Sequence, residues 1–155
     1  MGGRRLQVIV AAGNEPLVLA MESQLIVGTG VDIVDLDRLQ DLIDRHGMLF
    51  LGKTFTEAEI AYCQRHKVPV MHFGGRFAAK EAMFKALGTG WREGIGWKQV
   101  EVQADARGRP RIRLSGRAAV RARKLGITEI FLSISHCKCH AIAQVIAEGV
   151  EDTGQ

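Results

Sequence analysis

The sequence predicts a single α+β domain with a mainly antiparallel sheet and packed helices. Its 155 residues, 46% hydrophobic and 25% charged, have the length and composition of one globular domain with a buried core. Helical patterns lie between two groups of strand patterns, and the later strands form a hairpin and a pair joined by a polar turn. This arrangement is typical of the α+β class.

The first strand and the first helix are predicted to follow each other directly. Residues 25–34 (LIVGTGVDIV) are apolar and β-branched, which predicts a buried strand. Gly28 and Gly30 interrupt this strand and indicate a bulge or a close approach by another backbone. Leucine and isoleucine at helical spacing predict a helix over 35–46, and Gly47 is expected to end it.

Two more helices are predicted before the middle of the chain. Thr56 and Glu59 have the spacing of a capping box, which predicts a short helix over 57–65. The longest helix is predicted over 70–87, with Gly88 as its C-cap. A glycine-rich loop is predicted at 88–96, and the two hairpin strands at 97–103 and 111–114. A basic helix capped by Ser115 is predicted at 116–125, and the two final strands at 129–135 and 140–147.

The net charge of the chain limits the kinds of partner it is expected to bind, and its cysteine content indicates its location. A formal net charge of +4 favours an anionic partner such as a phosphorylated ligand or an acidic protein. The basic residues are scattered, without the aromatic-plus-basic pattern of RNA-binding sheets, so nucleic acid is not expected. Apolar runs fall short of the about 18 residues that span a bilayer, so no membrane segment is expected. Three cysteines without disulfide spacing favour a reducing, cytoplasmic location.

The two ends of the chain are expected to lie outside the domain. Polar residues and a proline interrupt the apolar stretch at 6–21, which argues against a signal peptide. We interpret residues 1–24 as an N-terminal extension, with Met21 as an alternative start. The domain is predicted over 25–148, and residues 149–155 are expected to form a loose tail.

Four charged residues interrupt the longest predicted helix. Arg76, Lys80, Glu81 and Lys85 lie among residues that are otherwise almost all apolar or alanine. Arg76 and Lys80 are four residues apart, as are Glu81 and Lys85, so each pair shares a helix face. One interpretation is a solvated edge with a local ion pair. The alternative is a binding site, in which Glu81 holds a cation and Lys85 contacts an anion.

Asp32 is the second unusual residue, because it lies within an apolar strand. A lone carboxylate is rarely buried without a partner. Asp32 could cap the following helix, but Asp35 is better placed for that role. The alternative is a metal ligand. Asp32 and Glu81 are the kind of carboxylate pair that Mg²⁺ uses when substrate phosphates and water complete its coordination.

The end of the first of the two final strands carries polar residues. Ser135 and His136 lie there, at a sheet end beside a turn, where a binding site and a plain strand terminus are both compatible with the pattern. The histidines and cysteines of 136–140 are too close in sequence to converge on one tetrahedral zinc ion. The Gly88-Thr89-Gly90 loop is a weak phosphate signal, since a helix ends there rather than begins.

Taken together, these motifs resemble the holo-acyl-carrier-protein synthase family, the small phosphopantetheinyl transferases. The resemblance lies in four segments in the same order: GVDIV at 30–34, RFAAKEA at 76–82, KALGTG at 85–90 and SISH at 133–136. The segment FTEAE at 55–59 and the hairpin at 100–114 are also similar to that family. The resemblance covers about residues 25–148.

The resemblance implies a magnesium-dependent enzyme that forms a homotrimer and binds coenzyme A between subunits. By motif position, Asp32 and Glu81 would hold magnesium, and Lys85 would contact the pyrophosphate, making Glu81 and Lys85 the catalytic residues. Arg38 and Arg45 would meet the acidic helix of an acyl carrier protein. The remaining coenzyme A contacts would be Arg76, Lys80, Gly88, Thr89, Gly90 and His136.

The implied reaction transfers 4′-phosphopantetheine from coenzyme A to a carrier-protein serine, releasing 3′,5′-ADP, for fatty acid biosynthesis. The serine proton would go to Glu81 or to a water on the magnesium ion, and the sequence leaves both open. Cys137 stands where some relatives carry an acidic or other polar residue, so a base role there is not expected. Two alternatives remain: a transferase for carrier domains of secondary metabolism, and a non-catalytic basic module that docks acidic proteins.

Overall fold

The structure, a computed structural model, describes residues 24–89 and 94–150. The predicted N-terminal extension falls outside this part of the chain except for its last residue. The elements in chain order are β1 (Leu25–Asp35), α1 (Leu36–Thr54), α2 (Glu57–Gln64), α3 (Pro69–Leu87), β2 (Val100–Ala104), β3 (Pro110–Leu114), α4 (Gly116–Lys124), β4 (Ile127–His136) and β5 (His140–Gly149).

Five strands form two antiparallel sheets, which confirms the predicted α+β class. The larger sheet has the order β1-β5-β4, so the last strand lies between the first and the fourth. The strands β2 and β3 form a separate hairpin. Helix α3 packs across β1 and β5, and the hairpin packs against α3 and β4. None of the described helices is long and apolar enough to cross a membrane.

The core lies between α3 and one face of the larger sheet. On β5 the alternate residues Ala141, Ala143, Val145 and Ala147 are completely buried, as the two-residue period of a half-buried strand requires. They face the alanines and large apolar residues of α3, among which Ala78, Ala79, Ala82, Met83 and Leu87 have no exposed surface. Small side chains on both surfaces allow the helix to approach the sheet closely.

The two glycines of β1 mark the closest approach of α3. A Cβ atom at Gly30 would overlap the carbonyl oxygen of Ala82, and one at Gly28 would overlap that of Ala86. The predicted close backbone approach is therefore confirmed, and a register shift between Ile26 and Gly28 adds the predicted bulge. The consequence is that the charged residues of α3 lie next to β1.

The predicted helix caps agree with the structure better than the predicted ends of the helices and strands do. Asp35 caps α1, and its Oδ1 accepts a hydrogen bond of 3.0 Å from the Arg38 amide. Thr56 and Glu59 form the predicted capping box of α2. Gly88 ends α3 in the left-handed conformation, as predicted. Ser115 precedes α4, but its side chain makes no capping hydrogen bond, so that prediction is wrong.

One predicted boundary is confirmed and another is wrong. Gly47 interrupts the helix as predicted, because it has non-helical backbone angles (φ 49°, ψ −132°), and a second helical segment of α1 continues after this kink to Thr54. The continuation buries Leu51 and presents Phe55 to the core, which offsets the cost of the kink. The predicted strand at 97–103 begins with a 3₁₀ turn at Trp97–Gln99, because the ring of Trp97 packs against Phe77 and Phe84.

Candidate functional site

Asp32 and Lys85 meet where β1 runs beside the end of α3. Their side chains form an ion pair with an Nζ–Oδ1 distance of 2.8 Å, and the Lys85 ammonium also donates to the Val31 carbonyl oxygen at 2.7 Å. The Asp32 side chain is 20% exposed and that of Lys85 is 51% exposed. The pair is therefore anchored on protein at one side and open to solvent at the other. Asp35 rather than Asp32 caps α1, so the alternative in which Asp32 caps the following helix is wrong.

Glu81 lies in the same place, one turn before Lys85 on α3. Burial raises the pKa of the Glu81 carboxyl, and the negative charge of Asp32 raises it further, while the Lys85 ammonium opposes the change. The Glu81 carboxyl therefore lies near both Asp32 and Lys85. The structure thus brings together the three residues for which the sequence predicted metal and pyrophosphate contacts.

The donor set at this place consists of two carboxylates with one ammonium beside them. Within residues 24–89 and 94–150, no group of three or more histidine, cysteine or acidic side chains is arranged to hold a metal ion. Two carboxylates alone fit a hard divalent cation that keeps water and substrate oxygens as its other ligands. They do not fit a closed structural metal site.

Lys80 has a different environment from the one expected for a cleft residue. Its ammonium and the Glu59 carboxylate are both completely buried and lie 2.8 Å apart. Lys80 also donates to the carbonyl oxygens of Trp97, at 3.0 Å, and Val100. All three N–H donors of the ammonium are therefore used inside the protein. Lys80 joins α2, α3 and the start of β2, so the prediction that it contacts coenzyme A is corrected.

Arg76 lies five residues before Glu81 on α3, and His136 lies at the end of β4. Arg76 is only 6% exposed, and its guanidinium carbon lies 3.9 Å from the centre of the Tyr62 ring. Its Nε has no hydrogen-bond partner in the described part of the chain. His136 is exposed at the end of β4, and its ring centre lies 6.3 Å from that of His72. Sequence reasoning missed Tyr62 and His72, because only the fold brings them near these motif residues.

The loop after α3 is described in part. Gly88 is exposed, whereas Thr89 is buried and its Oγ1 has no hydrogen-bond partner among the described residues. Gly90 lies outside the described residues. From α4, the Arg121 side chain donates to the Leu87 carbonyl oxygen at 3.1 Å and so holds the last turn of α3. This contact was not predicted, since the basic pattern of α4 gives no indication of its direction.

Arg38 and Arg45 are both exposed on α1, on the side away from the core. Arg45 lies 4.0 Å from Asp41, at the limit of an ion pair, and Asp44 instead accepts a hydrogen bond from Gln40. Arg38 uses its backbone amide to complete the helix cap. Their guanidinium groups are thus accessible to an acidic partner.

Comparisons with known proteins agree with these motifs. A family model described as the 4′-phosphopantetheinyl transferase superfamily matches residues 28–142. The holo-[acyl-carrier-protein] synthase of Syntrophus aciditrophicus is 44% identical over 128 residues, covering 83% of this chain and all of the relative.

Solved structures agree as well. The holo-[acyl-carrier-protein] synthase of Neisseria meningitidis superposes with a TM-score of 0.73 at 33% identity, over 79% of this chain and 98% of that one. The Bacillus anthracis enzyme, in complex with CoA (3′,5′-ADP), gives 0.66 at 36% identity, over 80% and 97%. The chain therefore belongs to the 4′-phosphopantetheinyl transferase superfamily, and within it to the holo-[acyl-carrier-protein] synthases.

Proposed function

We propose that this chain transfers the 4′-phosphopantetheine group of coenzyme A to a serine of apo-acyl carrier protein in the cytoplasm, in a reaction that depends on magnesium. Its family makes it a transferase that acts on coenzyme A and acyl carrier protein. We further propose that the carrier serves fatty acid biosynthesis. The observation that carries the proposal is the meeting of Asp32, Glu81 and Lys85 at a solvent-open edge of the protein.

The residues fit the chemistry of phosphoryl transfer. The serine Oγ forms a bond to the β-phosphorus of coenzyme A, the bond from that phosphorus to the bridging oxygen breaks, and 3′,5′-ADP leaves. Asp32 and Glu81 would hold Mg²⁺, which when bound supplies charge neutralisation on the pyrophosphate. The Lys85 ammonium would stabilise charge on the leaving phosphate, since it is already held beside Asp32 and uses two of its three N–H donors within the described part of the chain.

Glu81 is also the candidate acceptor of the serine proton. Burial raises the pKa of its carboxyl in the metal-free protein. A magnesium ion held by Glu81 would lower that pKa, so a water on the ion is the alternative acceptor of the proton. The intact set of Asp32, Glu81 and Lys85 argues against a non-catalytic docking module. A module that only bound acidic proteins would have no use for a carboxylate pair beside Lys85.

The outer face of the larger sheet supports a homotrimer. This face, which points away from α3, carries exposed apolar side chains: Val31, Ile33, Phe131 and Ile142. Ile33 is 63% exposed and is paired in register with Ile142 on β5. Several large apolar side chains exposed on one sheet face are typical of an interface. We expect sedimentation to give a trimer, and a fully active monomer would remove the model of a shared cleft.

The proposal is tested by mass spectrometry of apo-acyl carrier protein incubated with coenzyme A and the purified protein. The carrier should gain one phosphopantetheine in Mg²⁺, and a chelator should stop the reaction. Asp32→Ala and Glu81→Gln should each abolish transfer while the thermal unfolding midpoint stays near that of the parent, because both residues lie at the open edge.

The matched control is Glu57→Gln, which removes an exposed carboxylate from the first turn of α2. It should keep parental activity. Parental activity in Glu81→Gln would remove Glu81 from the metal site. A parent protein that leaves the carrier unmodified in Mg²⁺ would contradict the proposed function itself.

A further inference from the structure

The Arg121 side chain of α4 reaches the last residue of α3. Its Nε donates to the Leu87 carbonyl oxygen at 3.1 Å. A Cβ atom added at Gly88 would lie 3.8 Å from its Nη2, so the guanidinium also lies beside the residue that caps α3. The end of a helix has carbonyl groups without helical partners and a partial negative charge, and a guanidinium satisfies both. Arg121 therefore acts as a cap for α3 that is supplied by another helix.

The hydrogen bonds within the α3 cap do not attach it to another element. Gly88 donates its amide to the Lys85 carbonyl oxygen at 3.0 Å, and Thr89 donates to that of Phe84 at 3.4 Å. These bonds close the last turn on itself, as is usual where a glycine ends a helix. The bond from Arg121 differs from them, because it ties the turn to α4.

Helix α4 is itself fixed at its start. The Gln99 Oε1 accepts a hydrogen bond of 3.3 Å from the Ala118 amide and so caps the first turn of α4. One turn before Arg121, the Arg117 guanidinium lies against Gly94, where a Cβ atom would overlap it. Helix α4 is therefore held in the position from which Arg121 reaches α3.

The turn that Arg121 holds also carries Lys85. Lys85 precedes Leu87 by two residues, and its ammonium is bonded to Asp32 and to the Val31 carbonyl oxygen. Its side chain is 51% exposed, so its position depends on the backbone that carries it. Helix ends fray, and a last turn that frayed would move the ammonium away from β1.

We propose that Arg121 is a positioning residue for the transfer reaction, which keeps Lys85 in place by binding the Leu87 carbonyl oxygen. The inference rests on the proposed function for the role of Lys85 at the leaving phosphate. Arg121 acts through α3 rather than on the reacting atoms. A small displacement of a preorganised charge weakens its stabilisation of the transition state, so the effect should appear in kcat.

The first test measures amide hydrogen exchange at the cap of α3 and does not depend on activity. Arg121→Met keeps an unbranched side chain but removes the N–H donors. Exchange of the Gly88 and Thr89 amides should become about tenfold faster, because the turn loses its attachment to α4. The Phe55 amide, which donates to Leu51 at the end of α1, is the internal control and should keep its rate. Unchanged exchange at the α3 cap would overturn the inference.

The second test is a double-mutant cycle with Lys85. Arg121→Met should lower kcat about tenfold and keep KM for coenzyme A within about twofold. In the Lys85→Met background the same change should alter kcat by less than about twofold, since no ammonium remains to be positioned. Equal factors in both backgrounds would mean that Arg121 only supports the fold. A rise in KM at constant kcat would make Arg121 a direct substrate contact, and either result overturns the inference.

Two further variants sharpen the cycle. Arg121→Lys keeps a cation with N–H donors at the end of α3, so it should lose less than about threefold in kcat. Arg123→Met removes an exposed arginine from the same helix and is the matched control, with parental kcat and exchange. A loss with Arg123→Met as large as that with Arg121→Met would assign the effect to the charge of α4 and overturn the inference.

The measurements separate this inference from the proposed function. Transfer by the parent, with equal effects of Arg121→Met in both Lys85 backgrounds, overturns the inference and leaves the function intact. A parent that transfers nothing contradicts the function and the role of Lys85 with it, whereas hydrogen exchange still decides whether Arg121 holds the turn.

Discussion

Two lysines of α3 form ion pairs of equal length in opposite surroundings. Lys80 and Glu59 are 2.8 Å apart with no exposed surface, and Lys85 and Asp32 are also 2.8 Å apart but open to solvent. In the buried pair every donor of Lys80 is used, and Glu59 also accepts from the amides of Thr56 and Val102. The length of an ion pair therefore says little about its role. What distinguishes them is whether the protein satisfies all their hydrogen-bonding groups.

The two ion pairs also differ in the charges that surround them. Burial lowers the pKa of the Lys80 ammonium and the charge of Glu59 opposes this, so the two residues compensate each other within the core. At the open pair, burial raises the pKa of the Glu81 carboxyl and the nearby Asp32 carboxylate raises it further, while Lys85 opposes the change. The first pair is complete, whereas the second has a charge left over for a ligand. Substitutions at the two pairs should therefore have different effects on stability and on activity.

The largest effect on stability is expected from breaking the buried pair. Lys80→Met leaves the Glu59 carboxylate buried without its partner, and we expect it to lower the free energy of unfolding by about 3–5 kcal/mol. Urea unfolding measures this. The double variant Lys80→Met/Glu59→Gln removes both charges and keeps a residue compatible with the capping box, so it should recover at least half of the loss.

The matched control for this change is Lys98→Met, which removes an exposed ammonium beside Trp97. It should leave the unfolding curve within about 0.5 kcal/mol of the parent. A Lys80→Met protein as stable as the parent would show that the buried pair does not support the fold.

This pair also marks how far the sequence could be interpreted. Thr56 and Glu59 could be recognised as a capping box, because that motif depends only on neighbours three residues apart. That Glu59 also holds Lys80 could not, since the two are 21 residues apart and meet only when α2 packs on α3. The coenzyme A contact predicted for Lys80 came from its position in the RFAAKEA motif, which carries no information on this packing.

The predictions made from glycine residues differ in the same way between local and long-range contacts. Gly28 and Gly30 predicted a close backbone approach because glycine within a strand has few other uses, and α3 makes that approach. Gly47 predicted a helix end, and the first helical segment of α1 does end there, while burial of Leu51 favours a second segment beyond the kink. Local signals were sufficient for caps and glycines. They were insufficient wherever packing between distant elements decided the result, as at the Tyr62 contact with Arg76.

The open pair should show the reverse pattern, a small effect on stability and a large one on catalysis. Lys85→Met removes a half-exposed ammonium, so the free energy of unfolding should change by less than about 1 kcal/mol. Transfer should fall by about 10²–10³ in kcat, because a preorganised charge at the leaving phosphate is lost. Urea unfolding and a steady-state assay on the same preparation measure both quantities.

The control for the open pair is Lys53→Met, an exposed lysine in the last turn of α1, which should change neither quantity. If Lys85→Met lost stability like Lys80→Met and kept its kcat, the two pairs would have the same structural role and the contrast between them would be wrong.

The smallest effect on stability is expected at the exposed arginines of α1, where no complete pair exists. Arg38→Glu/Arg45→Glu should change the free energy of unfolding by only a few tenths of a kcal/mol, as exposed charges do. We nevertheless expect KM for acyl carrier protein to rise and its salt dependence to weaken, because long-range attraction to an acidic carrier is lost. KM for coenzyme A should stay constant, since that ligand is assigned to α3.

The control Arg107→Glu/Arg109→Glu reverses two exposed arginines in the turn between β2 and β3. Each reversal changes the charge by two, so both double variants lower the formal net charge from +4 to 0. A specific rise in KM for the α1 variant alone identifies the docking face. An equal rise in both would assign carrier binding to overall charge, and no rise in either would leave Arg45 as a partner of Asp41 only.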